Sequence, residues 1–356
     1  MTTVDVAEFD FELPDELIAQ IPPAERGGSR LLVLDRATGA LRDLMFGELG
    51  TILRPGDLLV VNDTRVFPAR LLGTRVPSGG AVECLLVQRL HTTPDPHVEE
   101  WEALMHPGQK LKPGAQVIFE REGIAIRGEV LERRFFGRRT IRLSTEAIPV
   151  AQAIDRIGHI PLPPYIHRAD GPEDRERYQT VYAQQRGSIA APTAGLHFTD
   201  ALLEDLRDHG VERTAVTLHV GYGTFKPVRV EQVEDHSVDP EPFTITSTAA
   251  HALTRARREG RRVIAVGTTT ARALESAEVS ADGELAEQQG VATLFIHPGH
   301  RFRLVDGLIT NFHLPKSSLL MLVAAFAGKD PVLAAYHHAV SAGYRFYSYG
   351  DAMLIV

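Results

Sequence analysis

A single cysteine, Cys84, is all the thiol that the 356 residues contain. Internal disulfides and thiolate zinc clusters are thereby excluded, and a reducing compartment is expected. Long apolar runs are missing as well. The longest, Leu319 to Ala327, is about half of what a helix needs to cross a bilayer. The first residues, Met1 to Glu8, are acidic and lack the basic-then-apolar order of a secretory signal. Positive charge is not in surplus: the net charge of −8 argues against indiscriminate coating of nucleic acid, although a local basic patch is still allowed. No fixed-period repeat or low-complexity tract is visible. These absences predict a cytoplasmic protein with no membrane partner. What is present is ordinary for a globular chain, with 44% apolar and 24% charged residues, and the length predicts about two domains.

The texture changes twice. Leu31–Leu34 and Asp57–Val61 read as buried strands, and Leu13–Ala19 as a short helix behind Pro14. From about Arg70, short runs at Ala81–Val87, Gln116–Glu120, Ile124–Glu132 and Thr140–Leu143 alternate with glycine-containing turns, which predicts a small antiparallel β-barrel. Afterwards α/β alternation returns. Ala201–His209, Thr248–Glu259, Thr268–Ser276 and Pro315–Ala327 read as helices; Ala215–Val220, Arg262–Val266, Ala292–Ile296 and Leu308–Thr310 read as strands. The expected fold class is therefore a discontinuous α/β domain, residues 1–69 and 150–356, interrupted by an inserted barrel, residues 70–149.

Two stretches carry the strongest chemical signal. Ala190–Thr199 holds Pro192, Thr193, Gly195 and His197, and Val216–Thr224 holds His219, Gly221 and Gly223. Each sets a histidine beside glycines at an inferred element end, where backbone N–H groups are exposed and an imidazole can move a proton near neutral pH. One site for a polar, charged small molecule is expected. Gly267-Thr268-Thr269 lies between a strand and a helix, where a carboxylate or phosphate is the natural guest. The Gly221–Pro227 loop lacks the third glycine of a dinucleotide fingerprint, and Pro227 breaks the helix such a site requires. His236, Asp239 and Glu241 are the only local cluster resembling a metal-ligand set, made irregular by Pro240; no metal is expected. Arg133, Arg134, Arg138 and Arg139 cluster at an inferred hairpin tip and suit a phosphate backbone.

Taken in order, these pieces resemble the S-adenosylmethionine:tRNA ribosyltransferase-isomerases of queuosine biosynthesis. The resemblance runs almost end to end. It includes Phe11-Glu12-Leu13-Pro14, Asn62-Asp63-Thr64-Arg65-Val66-Phe67-Pro68-Ala69-Arg70, Pro161–Ile166, both histidine stretches, Val266–Thr269 with Arg272 and Leu274-Glu275-Ser276. It closes with Asp306–Pro315 and Tyr344–Met353. One departure stands out: where the family shows His-x-Met-His-x-Glu, this chain has Asp239 in place of the second histidine.

The resemblance implies transfer and isomerisation of the ribosyl group of S-adenosylmethionine onto 7-aminomethyl-7-deazaguanine in tRNA. Epoxyqueuosine forms, and adenine and methionine leave. The sulfonium compound is then a consumed substrate, and no cofactor is expected. A base is needed at the carbon next to sulfur, and a donor for the departing purine, in a water-poor pocket. His219 or His197 is the expected base, with the other as orienter or acid. Asp63 and Asp351 are expected to attract the sulfonium or the amine. Thr268, Thr269 and Arg272 are expected to hold the methionine carboxylate, with Asn311 and His313 on adenine or ribose. Pro192, Thr193, Gly195, Gly221, Gly223, Gly267 and Arg65 complete the expected substrate site, and Arg133, Arg134, Arg138, Arg139 and Tyr165 the tRNA contacts. A monomer is expected. A tRNA-binding module without chemistry, and a metal-dependent hydrolase using His236, Asp239 and Glu241, are the competing readings.

Overall fold

The computed structural model describes residues 4–91, 94–225 and 227–356. Met1 to Thr3, read above as part of an acidic N-terminus, and Lys226 of the Gly221–Pro227 loop lie outside the described residues. The chain divides into two compact units: Met1–Arg65 with Pro164–Arg168 and Arg177–Val356, and Val66–Pro163 with Ala169–Glu176.

The first unit is α/β, built on a nine-stranded sheet. Four neighbouring strands, Glu212–Leu218, Leu58–Asn62, Val263–Val266 and Gly307–Asn311, are mutually parallel. The last three are buried along their whole length, as continuous apolar runs in a parallel sheet should be. Beyond them, Ala352–Ile355 runs antiparallel to Gly307–Asn311 and parallel to Arg30–Leu34, which pairs with the edge strand Leu41–Met45. On the other side, Glu241–Ile245 and Gln288–Ala292 complete the sheet in antiparallel pairing. The last strand was expected at Ala292–Ile296; pairing with Glu241–Ile245 shifts it toward the polar Gln288-Gln289-Gly290.

Helices form where the sequence caps them. Thr199, Thr246 and Ser317 accept backbone N–H bonds at the starts of Asp200–Asp208, Ser247–Arg258 and Ser318–Ala327. Thr268–Ser276 instead begins at Gly267, whose φ of 92° lies in the left-handed region that favours glycine. Among the described residues no single helix is long and apolar enough to cross a membrane.

The second unit is a closed six-stranded antiparallel barrel of Arg70–Val76, Ala81–His91, Val98–His106, Gln116–Arg121, Ile124–Arg133 and Arg138–Ser144. Leu71, Cys84, Phe119, Ile126 and Ile141 are among its fully buried side chains. The inserted antiparallel barrel within an α/β chain is the fold class that the change of texture predicts.

Candidate functional site

Parallel strands all end on one side of a sheet, and ligands of open α/β folds bind there. In the first unit that edge gathers Asn62, Asp63, His219, Gly267 and Asn311, because each follows or ends one of the four parallel strands. A cavity of about 310 Å³ opens at this edge. Of the expected site residues, Pro192, Thr193, Gly267, Thr268, Thr269, Asn311 and His313 line it. Tyr165, expected at a tRNA surface, lines it too. Its hydroxyl is 2.5 Å from Ser348 Oγ, and its ring lies 3.9 Å from that of Tyr347. Tyr347 and Ser348 belong to the wall and were missed, although the Tyr344–Met353 stretch was singled out. Thr310, Lys316 and Thr224 were missed as well.

Neither of the two histidines expected to converge on one cleft lines this cavity. His197 is buried with both ring nitrogens engaged. Asn311 Nδ2 donates to Nε2 at 3.1 Å, and Nδ1 lies 2.6 Å from Ser29 Oγ. Phe46 packs on the ring at 5.0 Å. With no free nitrogen, His197 is not placed to take or give a proton, and of the roles expected of it only that of orienter fits this geometry. His219 is only partly buried. Its Nδ1 is 2.8 Å from Thr64 Oγ1, which is 2.7 Å from Ser188 Oγ, and Ser188 Oγ accepts from Val220 N. A Cβ on Gly187 would sit 2.6 Å from the imidazole, so only glycine lets this backbone lie against the ring. Nε2 has no hydrogen-bond partner among the described residues. Burial lowers the His219 pKa, and the Asp63 carboxylate pulls it back up. Asp63 accepts from the Thr217 hydroxyl at 2.6 Å, and burial raises its own pKa.

Other expected contacts have structural work elsewhere. Asp351 accepts the backbone N–H groups of Arg30 and Arg345, each at 2.8 Å, and is buried. Arg272 does not line the cavity, and its guanidinium already donates to Glu241, Leu294 O and Ala292 O at 2.5, 3.3 and 3.1 Å. Glu241 in turn accepts from Gly221 N and the Thr224 hydroxyl, so the glycine loop is tied to a buried ion pair. Gly221 and Gly223 therefore shape that loop without lining the cavity, and Gly195 is packed under the Tyr182 hydroxyl. Arg65 is exposed and off the cavity wall. His236 packs edge-on against Phe295, and no group of three or more potential metal ligands forms among the described residues.

In the barrel, Arg133 and Arg134 are exposed beside Phe135, which is 87% exposed. Arg134 and Arg138 share the Glu102 carboxylate, which offsets one of their two charges. Arg139 is corrected outright: it is 1% exposed and donates to the carbonyls of Leu111, Gly137 and Gly108.

His197 and His313 are both held neutral. Burial, with Arg345 adding to it, lowers His197 to about 3, and burial alone lowers His313 to about 3, from an ordinary 6.5. Between these values the unfolded chain takes up protons that the folded protein refuses. Stability is therefore full above pH 6.5 and falls on acidification, by up to about 1.4 kcal/mol per pH unit for each histidine. Urea titrations at pH 7.5, 6 and 5 check this, and the double variant H197Q/H313Q is expected to flatten the slope.

Fold and site together are those of an α/β protein with a cavity above the C-terminal ends of its parallel strands, where ligands of such folds bind. The chain matches the family model described as "Queuosine biosynthesis protein" over residues 6–355. It is 52% identical over 353 residues to the S-adenosylmethionine:tRNA ribosyltransferase-isomerase of Heliobacterium modesticaldum, covering 99% of this chain and 100% of that one. It is 51% identical over 351 residues to the protein of the same name from Geotalea uraniireducens, covering 98% of each. Among solved structures it is similar to the S-adenosylmethionine tRNA ribosyltransferase of Thermotoga maritima, with a TM-score of 0.55 and 37% identity over 98% of this chain and 100% of that one. The chain belongs to the queuosine biosynthesis family.

Proposed function

We infer that this chain transfers and isomerises the ribosyl group of S-adenosylmethionine onto 7-aminomethyl-7-deazaguanine in tRNA, releasing adenine and methionine. The observation that carries the assignment to this site is the cavity at the strand ends, whose wall includes Pro192, Thr193, Gly267, Thr268, Thr269, Asn311 and His313 from the stretches that the family resemblance picks out. Thr268 and Thr269, at the start of the helix Thr268–Ser276, face a methionine carboxylate with backbone N–H groups and hydroxyls. Ala190, Ala191, Pro192, Val220 and Leu319 supply apolar wall that excludes water from the reacting carbons.

His219, which follows the strand Glu212–Leu218 at the same sheet edge but lies outside the cavity wall, is the base in this reading. In the tautomer that donates from Nδ1 to Thr64, the lone pair sits on Nε2, and the Asp63 charge favours the protonated form that develops. Nε2 takes a proton from the carbon next to the positive sulfur, and the resulting carbanion is stabilised by that charge. His313, whose Nε2 is 2.7 Å from Thr310 Oγ1, is the neutral partner within the cavity wall. The chain acts as a monomer on tRNA and needs no membrane.

Incubation with S-adenosylmethionine and tRNA bearing 7-aminomethyl-7-deazaguanine, followed by mass analysis of nucleosides, tests this. Free adenine and epoxyqueuosine are expected in equal amounts. Methylated nucleoside with intact adenosyl product would overturn the reading.

A further inference from the structure

Two residues of the cavity wall, Asn311 and Tyr347, each carry a buried polar atom with no hydrogen-bond partner among the described residues. Asn311 is 2% exposed. Its Nδ2 donates to the Tyr347 carbonyl at 3.0 Å and to His197 Nε2 at 3.1 Å. A carbonyl oxygen only accepts, so the amide orientation is settled and Oδ1 is the atom left over. Oδ1 is buried and unpartnered among the described residues, as is the Tyr347 hydroxyl. Tyr347 is held at φ 71°, a left-handed backbone that tyrosine rarely adopts. Its N–H bonds to Phe312 O at 3.0 Å, and its ring lies 3.9 Å from that of Tyr165 at a tilt of 31°. Burial keeps its phenol protonated, since it pushes the pKa far above the usual range.

His197 explains why the amide cannot turn. Because Asn311 donates to Nε2, the ring proton sits on Nδ1 and is given to Ser29 Oγ at 2.6 Å. Protonating Nε2 would set two donors against each other.

We propose that His197 is a positioning residue that fixes Asn311, so that Asn311 Oδ1 and the Tyr347 hydroxyl read the edge of the donor's purine. The assignment rests on the cavity taking S-adenosylmethionine. One acceptor and one donor stand unpaired, each costing about 1–3 kcal/mol when left so. A carboxylate offers acceptors only and would leave Oδ1 unpaired, and a methionine ammonium offers donors only and would leave the hydroxyl proton without an acceptor. The purine edge offers both, through its 6-amino group and an adjacent ring nitrogen. The tyrosine pair and the apolar wall of Ala190, Ala191 and Leu319 suit a flat ring better than a ribose. When the C1′–N9 bond breaks, its electron pair passes to the purine, and a hydroxyl hydrogen bond to a ring nitrogen stabilises that charge.

The test compares three sulfonium donors on the full-length protein with modified tRNA: the adenosyl compound, its 6-deamino analogue and its 6-oxo analogue. For the unsubstituted protein, kcat/KM is expected to fall ~10-fold for the 6-deamino donor and ~100-fold for the 6-oxo donor, whose oxygen would face Oδ1. Asn311→Ala is expected to level the three donors. His197→Ala is expected to do the same, with His197→Gln restoring the preference by returning an acceptor to Asn311; melting temperatures report folding. Tyr347→Phe removes one hydroxyl only and keeps the question open to test if the His197 variants do not fold, with kcat expected to drop ~10-fold. Equal use of adenosyl and 6-deamino donors by the unsubstituted protein, or unchanged preference in folded His197→Ala, would overturn the proposal and leave the reaction assignment standing. Turnover of none of the donors would overturn the assignment, and the proposal with it.

Discussion

Replacing Arg272 by methionine will cost the folded protein about 3–5 kcal/mol, because it strands a carboxylate in the interior. Glu241 is 2% exposed, and Arg272 is the cation beside it at 2.5 Å. The other partners of the carboxylate, Gly221 N–H and the Thr224 hydroxyl, are neutral and cannot compensate a buried charge. Burial already raises the Glu241 pKa, and Arg272 opposes that rise. Without Arg272 the folded-state pKa climbs further. A carboxyl group whose folded pKa exceeds its unfolded one loses stability as pH rises, so the defect is expected to shrink on acidification toward pH 4.5. The double variant R272M/E241Q is expected to recover much of the loss, since it removes the stranded charge rather than one half of a pair. Chemical denaturation at pH 7.5 and pH 5 checks both statements. An Arg272→Met protein as stable as the parent at pH 7.5 would mean that the ion pair does not hold the glycine loop.

That pair also marks the boundary of what could be read from the amino-acid order. Strand runs such as Leu58–Asn62 and Val263–Val266 were legible because a strand buried on both faces is a continuous apolar run, whatever packs on it. Gly267 was legible because a strand-to-helix turn asks for that residue. The edges were not. Leu41–Met45 carries Arg42 and Asp43, and Glu241–Ile245 contains Pro242, so neither reads as a strand until its neighbour supplies the pairing. In the barrel, Glu99, Glu100 and Glu102 interrupt the apolar residues of Val98–His106 on both faces of the strand.

The site divides in the same way. Motifs ending the parallel strands could be placed at one edge from α/β alternation alone. Which side chains stay free there depends on partners far along the chain. Arg272 is taken by Glu241, 31 residues away, and His197 by Ser29 and Asn311, 168 and 114 residues away. Arg139 is likewise consumed by carbonyls of Gly108 and Leu111. Residue chemistry announced what these groups could do, and only tertiary contact shows what they are already doing.

His219 survives that sorting, and its removal should have the largest effect on rate. His219→Asn is expected to lower kcat for adenine release by roughly 10²–10⁴, the usual worth of a positioned base, with KM for S-adenosylmethionine changed only a few-fold. A structural histidine would instead lower the melting temperature and leave the pH profile alone. The pH dependence separates the two. Since burial lowers the His219 pKa, the acid limb of kcat should lie below the ordinary imidazole value of 6.5. Asp63 raises that pKa, so Asp63→Asn is expected to move the limb further toward acid. Thr64→Val removes the Nδ1 partner, which frees the ring to rotate, and it should lower kcat without moving KM. The Thr64–Ser188 hydroxyl pair gives the imidazole one orientation, and Gly187 gives it room; neither is needed for packing a histidine into a core. Near-parental turnover in His219→Asn, or an acid limb that Asp63→Asn leaves in place, would remove His219 from the chemistry.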